Sequence, residues 1–292
     1  MQPTLLIDGN NVLVRAVEAT RRVAMNSPTG IDTSALVVFI KTISRYIREE
    51  KPNRVMVCWD SGPGWRNQVY PAYKANRPQA PDEYRSVTRR LVRQFLSLAR
   101  VPTAYLPSFE ADDLIAMYWH HAHEPVVILS SDKDLLQMVG PNPNGQPCTQ
   151  IRISSADTPT DRWDEQKVIE RHGCTPAQLP LVMSLTGDTS DNIPGVRKIG
   201  PKFALKHLAA AGWDLDRVEH PGIAEARDKG EIAVYRQLVD LRDPPYTLIP
   251  TGISPFMPVT PGPDAAWRDL WKLLSELQMR DIERRLLAGE LW

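Results

Sequence analysis

Short runs of apolar and β-branched residues stand at positions 4–7, 54–59, 126–130 and 151–154, each almost free of polar interruption. Continuous apolarity over so few residues predicts strands buried on both faces, as in a parallel sheet, and 103–106 is a weaker instance. Between these runs the period lengthens. Leu36, Phe39, Ile40, Ile43 and Ile47 share one face of a helix over 33–49, and Val87, Leu91, Phe95 and Leu98 share one face of a helix over 83–99. Residues 111–122 form a third helix. Strands alternating with helices predict an α/β fold with a mainly parallel central sheet flanked by helices. Past about residue 165 the strand pattern fades. Short helices are expected at 165–171, 176–186, 201–211 and 224–241, with one or two more over 265–288. The expected division is an α/β unit over 1–170 and a helical region over 171–292. The Pro-rich stretch 243–263 is too apolar for a free linker and is expected to wrap over the core.

Composition changes this picture little. The 292 residues are 42% hydrophobic and 24% charged, ordinary values for a soluble globular chain. Lys and Arg together number 35, as do Asp and Glu, so no global field advertises a nucleic-acid partner and any basic surface must be local. Cys58, Cys148 and Cys174 are odd in number and far apart, which argues against a disulfide framework or zinc site and for a reducing, cytoplasmic setting. No apolar run reaches the roughly 18 residues of a membrane span, so no membrane association is expected.

The acidic residues change it more. "TLLID" ends at Asp8, "RVMVCWD" at Asp60, and "VVILSSDKD" runs into Asp132 and Asp134. In open α/β sheets, ligands bind beyond the carboxyl ends of the strands. "FEADDLIA" adds Glu110, Asp112 and Asp113 at a helix start, and "GDTSDNIPGVRKIGPKFA" adds Asp188 and Asp191. Each acid taken alone reads as a turn residue or helix cap. Crowded together they repel one another unless cations neutralise them. Oxygen-only ligands suit Mg2+ or Mn2+ rather than zinc. Two such ions about 4 Å apart are a device for in-line phosphodiester hydrolysis.

Two further stretches carry positive charge. Residues 61–85 interleave Trp65, Tyr70, Tyr73 and Tyr84 with Arg66, Lys74, Arg77 and Arg85, a composition that suits single-stranded nucleic acid. It equally suits a solvated loop pinned by a few aromatics. Arg85, Arg89 and Arg93 on the following helix read as a solvated face. In "IPGVRKIGPKFALKHL", Gly195 and Gly200 permit a sharp turn, and Pro201 suits the first turn of a helix whose amides would accept a phosphate.

The segments "LLIDGNNVLVRA", "CWDSGPGWRNQVYPAYKANRP", "PSFEADDLIA", "ILSSDKDLLQMV" and "SLTGDTSDNIPGVRKIGPKFA" together resemble the 5′-nuclease family of flap endonucleases and 5′–3′ exonucleases, over roughly residues 4–210. That family includes bacteriophage enzymes and the N-terminal nuclease domain of bacterial DNA polymerase I. The resemblance implies a PIN-like nuclease core with a helical arch inserted at about 62–90 and a helix–three-turn–helix at about 180–212. Position by position, Asp8, Asp60, Glu110, Asp112, Asp113, Asp132, Asp134, Asp188 and Asp191 match the family's metal-binding carboxylates. Lys74 and Arg77 match the catalytic basic pair at the arch base, with Tyr73 as the neighbouring DNA-contacting aromatic. Gly195, Val196, Arg197, Lys198, Gly200 and Lys202 match the duplex-binding turn, which in relatives also holds K+. The implied activity is Mg2+-dependent hydrolysis of DNA near the junction of a 5′ single strand and duplex, with flap, nick or 5′ end as substrate. Tolerance of RNA-containing 5′ ends stays open. Because the sequence stops at Trp292, a stand-alone enzyme without a polymerase domain is expected, and, separately, a monomer. The rival reading is a DNA-junction binding protein with vestigial chemistry, which would need damaged carboxylates.

Overall fold

The computed structural model describes residues 1–22, 30–62, 64–77, 82–154, 158–243 and 265–292. The first half alternates strand and helix: β1 (Thr4–Asp8), α1 (Gly9–Thr20), α2 (Ser34–Glu50), β2 (Arg54–Trp59), α3 (Trp65–Val69), α4 (Glu83–Leu98), β3 (Thr103–Tyr105), α5 (Ala111–His121) and β4 (Val126–Leu129). Then come β5 (Gly140–Pro141), β6 (Pro147–Arg152) and β7 (Asp161–Trp163), followed by helices only. These are α6 (Glu165–His172), α7 (Leu179–Thr186), α8 (Pro201–Ala210), α9 (Pro221–Asp228), α10 (Glu231–Val239), α11 (Ala265–Glu276) and α12 (Arg280–Leu287).

Strands β3, β2, β1, β4 and β6 lie side by side in that order and run parallel; β5 and β7 both pair antiparallel with β6. The α/β fold with a mainly parallel sheet is therefore the observed one. From β1 the chain winds outward through β2 to β3, then crosses back to place β4 on the other side of β1. The order reverses between β1 and β4, and such a reversal opens a crevice at the carboxyl ends of the strands.

Pleating splits the apolar runs between two cores. Leu5 and Ile7 of β1 and Val57 and Trp59 of β2 face α1, α2, α4, α11 and α12, whose Phe39, Ile43, Phe95, Leu274 and Ile282 are all buried. Leu6, Met56, Cys58 and Ile128 face Ile115 and Trp119 of α5. Each such side chain contributes about 1.5–3 kcal/mol on burial. A third cluster holds the helical region together, with Leu185, Ile199, Ala204, Leu208 and Ile223 at its centre.

Some elements differ from expectation. Helix α1 lies within a stretch read only as a motif; Val12, Leu13, Ala16 and Val17 form its buried face. Strand β6 begins at Pro147, four residues before the apolar run, because the buried Cys148 and Gln150 belong to it. The helix expected over 224–241 is two, broken at Gly230 with φ 73°. Helices α11 and α12 return to the sheet and pack with the first unit, so residues 265–292 do not join the helical region in which the expected division placed them. The Pro-rich 243–263 lies, beyond Asp243, outside the described residues. Among the described residues no helix is long and apolar enough to cross a membrane.

Candidate functional site

Asp8 ends β1 at the crevice. One carboxylate oxygen caps α1 by accepting from the Asn11 amide (2.9 Å), and the other accepts from the Ser130 hydroxyl just past β4 (2.8 Å). Asp60, just past β2, accepts from the Ala111 amide at the start of α5 (2.8 Å). Beyond β4, the Asp132 carboxylate accepts from the Asp134 amide (2.9 Å). The buried Gln150 of β6 holds this turn by donating to the Ser130 and Asp132 carbonyls (2.9 and 2.6 Å). Burial pushes the Asp8 carboxyl up to about 7, with Asp60 and Asp132 adding to the rise. Burial, then Asp132, pushes Asp134 up to about 8. Burial, then Asp132 and Asp8, holds Asp112 well above the usual carboxylate range, and burial raises Asp60. These are acids short of positive charge.

A second group is neutralised by side-chain cations. Glu110 accepts from Lys74 Nζ (2.6 Å), the Tyr73 hydroxyl (3.0 Å) and Arg66 Nη1 (3.2 Å). Burial alone would raise Glu110, but Lys74 and Arg66 bring it below its ordinary value. Asp191 accepts from Arg77 Nη2 (2.6 Å) and from the same Tyr73 hydroxyl (3.0 Å). Asp188 pairs with Lys133 (2.8 Å) and accepts from the Ser190 amide and hydroxyl (2.8 and 2.6 Å). The segment bearing Tyr73, Lys74 and Arg77 is stitched to the Asp188–Asp191 turn. Asn76 donates to the Thr189 carbonyl (2.7 Å) and Asn192 to the Ala72 carbonyl (2.7 Å).

That turn is built on two glycines packed back to back. Asp188 and Ile193 exchange a pair of backbone hydrogen bonds, each 2.8 Å. Gly187 and Gly195 both have positive φ, and a Cβ on Gly195 would lie 2.3 Å from the Gly187 nitrogen. Val196 and Ile199 are buried beneath it, so Arg197, Lys198, Lys202 and Lys206 are left on the surface around the open start of α8 at Gly200.

Residues 3–173 match the family model described as the 5′-3′ exonuclease, N-terminal resolvase-like domain. The chain belongs to the 5′-3′ exonuclease family. Its similarity to the 5′-3′ exonuclease of Aquifex aeolicus is 31% identity over 216 residues, 73% of this chain and 71% of that protein. Its similarity to DNA polymerase I of Mycobacterium tuberculosis is 32% identity over 262 residues, 85% of this chain and 28% of the polymerase. The chain thus spans about 28% of the length of that curated polymerase. Among solved structures, the flap endonuclease of bacteriophage T5, in a complex with DNA and metal ions, matches with a TM-score of 0.64 at 20% identity, over 82% of this chain and 89% of that one. At that identity the likeness shows the fold.

Within this member of the 5′-3′ exonuclease family, the structure brings Asp8, Asp60, Asp112, Asp132 and Asp134 to one crevice, with Glu110, Asp188 and Asp191 beside it. Asp113 goes elsewhere. It is fully buried, accepts two hydrogen bonds from Arg66 (2.8 and 2.9 Å) and caps α5 through the Glu110 amide (2.9 Å). In the structure Asp113, expected as a metal ligand, is thus paired with Arg66 and set back from the other acids. Tyr73, expected as a DNA-contacting aromatic, has 4% of its surface exposed and donates to Glu110 and Asp191. The Val196 side chain is buried and its backbone amide donates to the Leu185 carbonyl (2.7 Å). Sequence reasoning missed Gln150 and Lys133, whose roles depend on partners distant in the chain. Arg89, read as a solvated residue, instead donates to Asn10 at the crevice (3.0 Å).

Among the described residues no three acidic, histidine or cysteine side chains are already disposed to hold a metal ion. The donor set nevertheless fits a hard divalent cation, because it is all oxygen. Asp134 Oδ1 in particular is buried without a hydrogen-bond partner.

Proposed function

We propose that this chain is a Mg2+-dependent, structure-specific 5′-nuclease acting on DNA near the junction of a 5′ single strand and duplex. The observation that carries this reading is the crevice at the β1/β4 reversal, where Asp8, Asp112 and Asp134 are raised by burial and like charge while cations occupy only the flanking acids. Asp8, Asp60, Asp112, Asp132 and Asp134 would hold one divalent ion, and Glu110, Asp188 and Asp191 would help to hold a second or to bind the cations beside it. Bound Mg2+ or Mn2+ would supply Lewis acidity and charge neutralisation at the scissile phosphate. Lys74 and Arg77 would turn from Glu110 and Asp191 toward that phosphate and stabilise the charge that develops on it. Gly195 to Lys202 would grip the duplex through backbone amides and Arg197, Lys198 and Lys202, without reading sequence. K+ at the carbonyls of this turn is part of the same proposal, as is action by a monomer.

The complex of the T5 flap endonuclease with DNA and metal ions and the name of the Aquifex relative support this reading. The test is cleavage of a 5′-labelled flap duplex with Mg2+, beside nicked, blunt and RNA-tipped versions. Asp132→Ala should abolish cutting while junction binding persists. A wild-type protein that binds the junction but leaves every substrate uncut would favour the rival reading of a binding protein.

A further inference from the structure

Gln137 lies in the tight turn Asp134–Met138, which begins at one of the acids beyond β4, and it is fully buried. Its side-chain amide is fully engaged. Nε2 donates to the carbonyls of Asp134 (2.7 Å) and Val239 (3.0 Å), and Oε1 accepts from the Leu241 amide (2.7 Å). The Gln137 carbonyl accepts from Arg242 Nη1 (2.6 Å). One side chain therefore joins the backbone of an acid-bearing turn to the end of α10, more than a hundred residues away.

The same stretch, 238–242, is also held from the opposite side of the crevice. Arg66 donates through Nε to the Leu238 carbonyl (2.8 Å) while its other nitrogens hold Asp113 and Glu110. Leu238, Val239 and Leu241 form the inner wall of a cavity of about 20 Å3, onto which Asp112, Asp134 and Asp191 also open. Helix α10 packs in turn along α7, the helix that leads into the glycine turn. Backbone that carries none of the crevice acids and neither Lys74 nor Arg77 thus lies between those acids and the element proposed to grip duplex.

We infer that Gln137 is a positioning residue that fixes the Asp132–Asp134 turn against 238–242, and so sets the offset between the acid site and the duplex grip. This rests on the nuclease reading above. Apolar packing could not do the same work. A side chain of equal size would fill the volume, but it would leave the Val239 carbonyl and Leu241 amide without partners and the turn free to shift along the wall. Misplacement of reacting groups by about 1 Å can cost up to about 10²-fold in rate.

The test compares Gln137→Met and Gln137→Glu with wild type on a 5′-labelled flap duplex in Mg2+. It reads kcat, KM, the lengths of the products, and DNA affinity without metal. Gln137→Met should lower kcat about tenfold with KM and DNA affinity within about twofold, and should spread cutting to a neighbouring phosphodiester. Gln137→Glu places a carboxylate oxygen against two carbonyls and should do the same more severely. If neither folds, Arg242→Met, which loosens the clasp from outside, should give the same pattern at about threefold. A folded variant with unchanged kcat and an unchanged cut site overturns the inference, and so does a loss explained wholly by weaker DNA binding. A wild type that cuts nothing overturns the nuclease reading and this inference with it, whereas an active wild type beside unaffected variants overturns this inference alone.

Discussion

The backbone amide of Lys74 donates to the carbonyl of Asp191 at 2.9 Å, so the segment carrying the basic pair and the turn carrying the last two acids are joined through peptide groups. Lys74 itself sits at φ 56°, a left-handed conformation that this hydrogen bond helps to hold. The position of the ammonium beside Glu110 is thus set by main chain from two distant parts of the sequence.

Replacing Lys74 by Ala should separate its two roles. Cleavage should fall by roughly 10²–10³ in kcat, the scale of losing one donor to a developing charge. Glu110 and Asp191 would lose a cation, so the DNA-free protein should bind Mn2+ more tightly, as measured by electron paramagnetic resonance titration. Equal or weaker Mn2+ binding would mean that Lys74 does not compete for those acids.

Tyr73→Phe keeps the packing against Ile193, Tyr235, Leu238 and Val239 but removes the hydroxyl shared by Glu110 and Asp191. Hydrogen bonds to charged groups are worth about 1.5–3 kcal/mol each, and both acids retain other partners. A net loss of about 1–2 kcal/mol is expected in urea unfolding of the metal-free protein. Unchanged stability would show that the hydroxyl is dispensable.

The glycine turn supplies a paired test. Gly195→Ala places a methyl 2.3 Å from the Gly187 nitrogen at φ 64°, and no side chain can move aside to accept it. It should cost about 3 kcal/mol or more and weaken duplex binding. Gly200→Ala meets nothing within 4 Å and has ordinary extended backbone, so it should cost only about 0.5–1 kcal/mol as a poorer helix cap. Equal effects of the two on thermal unfolding would contradict the back-to-back packing.

Asp8 and Asp134 are raised to about 7 and about 8 from an ordinary 3.8. A carboxyl raised on folding adds stability in its protonated form. That contribution is full below the ordinary value and is lost as pH climbs through the raised one. In chelator, the melting temperature should therefore fall from about pH 4 to about pH 8 and level off above that. Mg2+, which binds ionised acids, should restore more stability at pH 8 than at pH 6. A Mg2+ shift independent of pH, in scanning calorimetry, would detach these acids from metal binding.

The central sheet was legible because its strands are buried on both faces: β2 falls where the run 54–59 lies, and β1 extends 4–7 only by Asp8. What composition could not show was the other half of each long-range pair. Asp113 looked like one more acid of "EADD", yet adjacent helical positions point about 100° apart, and Asp113 turns inward to Arg66 while Asp112 faces the crevice. Arg66 looked like part of a basic loop because its acceptor at Leu238 lies 172 residues on. Gln137 drew no reading of its own, because its partners Val239 and Leu241 lie more than a hundred residues on. Gly230 left no mark in the apolar pattern, so two helices read as one. The acids were legible for the opposite reason: strand ends and helix starts announce themselves locally.

The Asp188–Ile193 bridge and the contact of Gly187 with Gly195 are made of peptide groups alone. The spacing they impose does not depend on the chemistry of the side chains between. Thr189, which is exposed, could therefore diverge widely among related chains without altering where a bound duplex meets the acids, whereas either glycine could scarcely change at all.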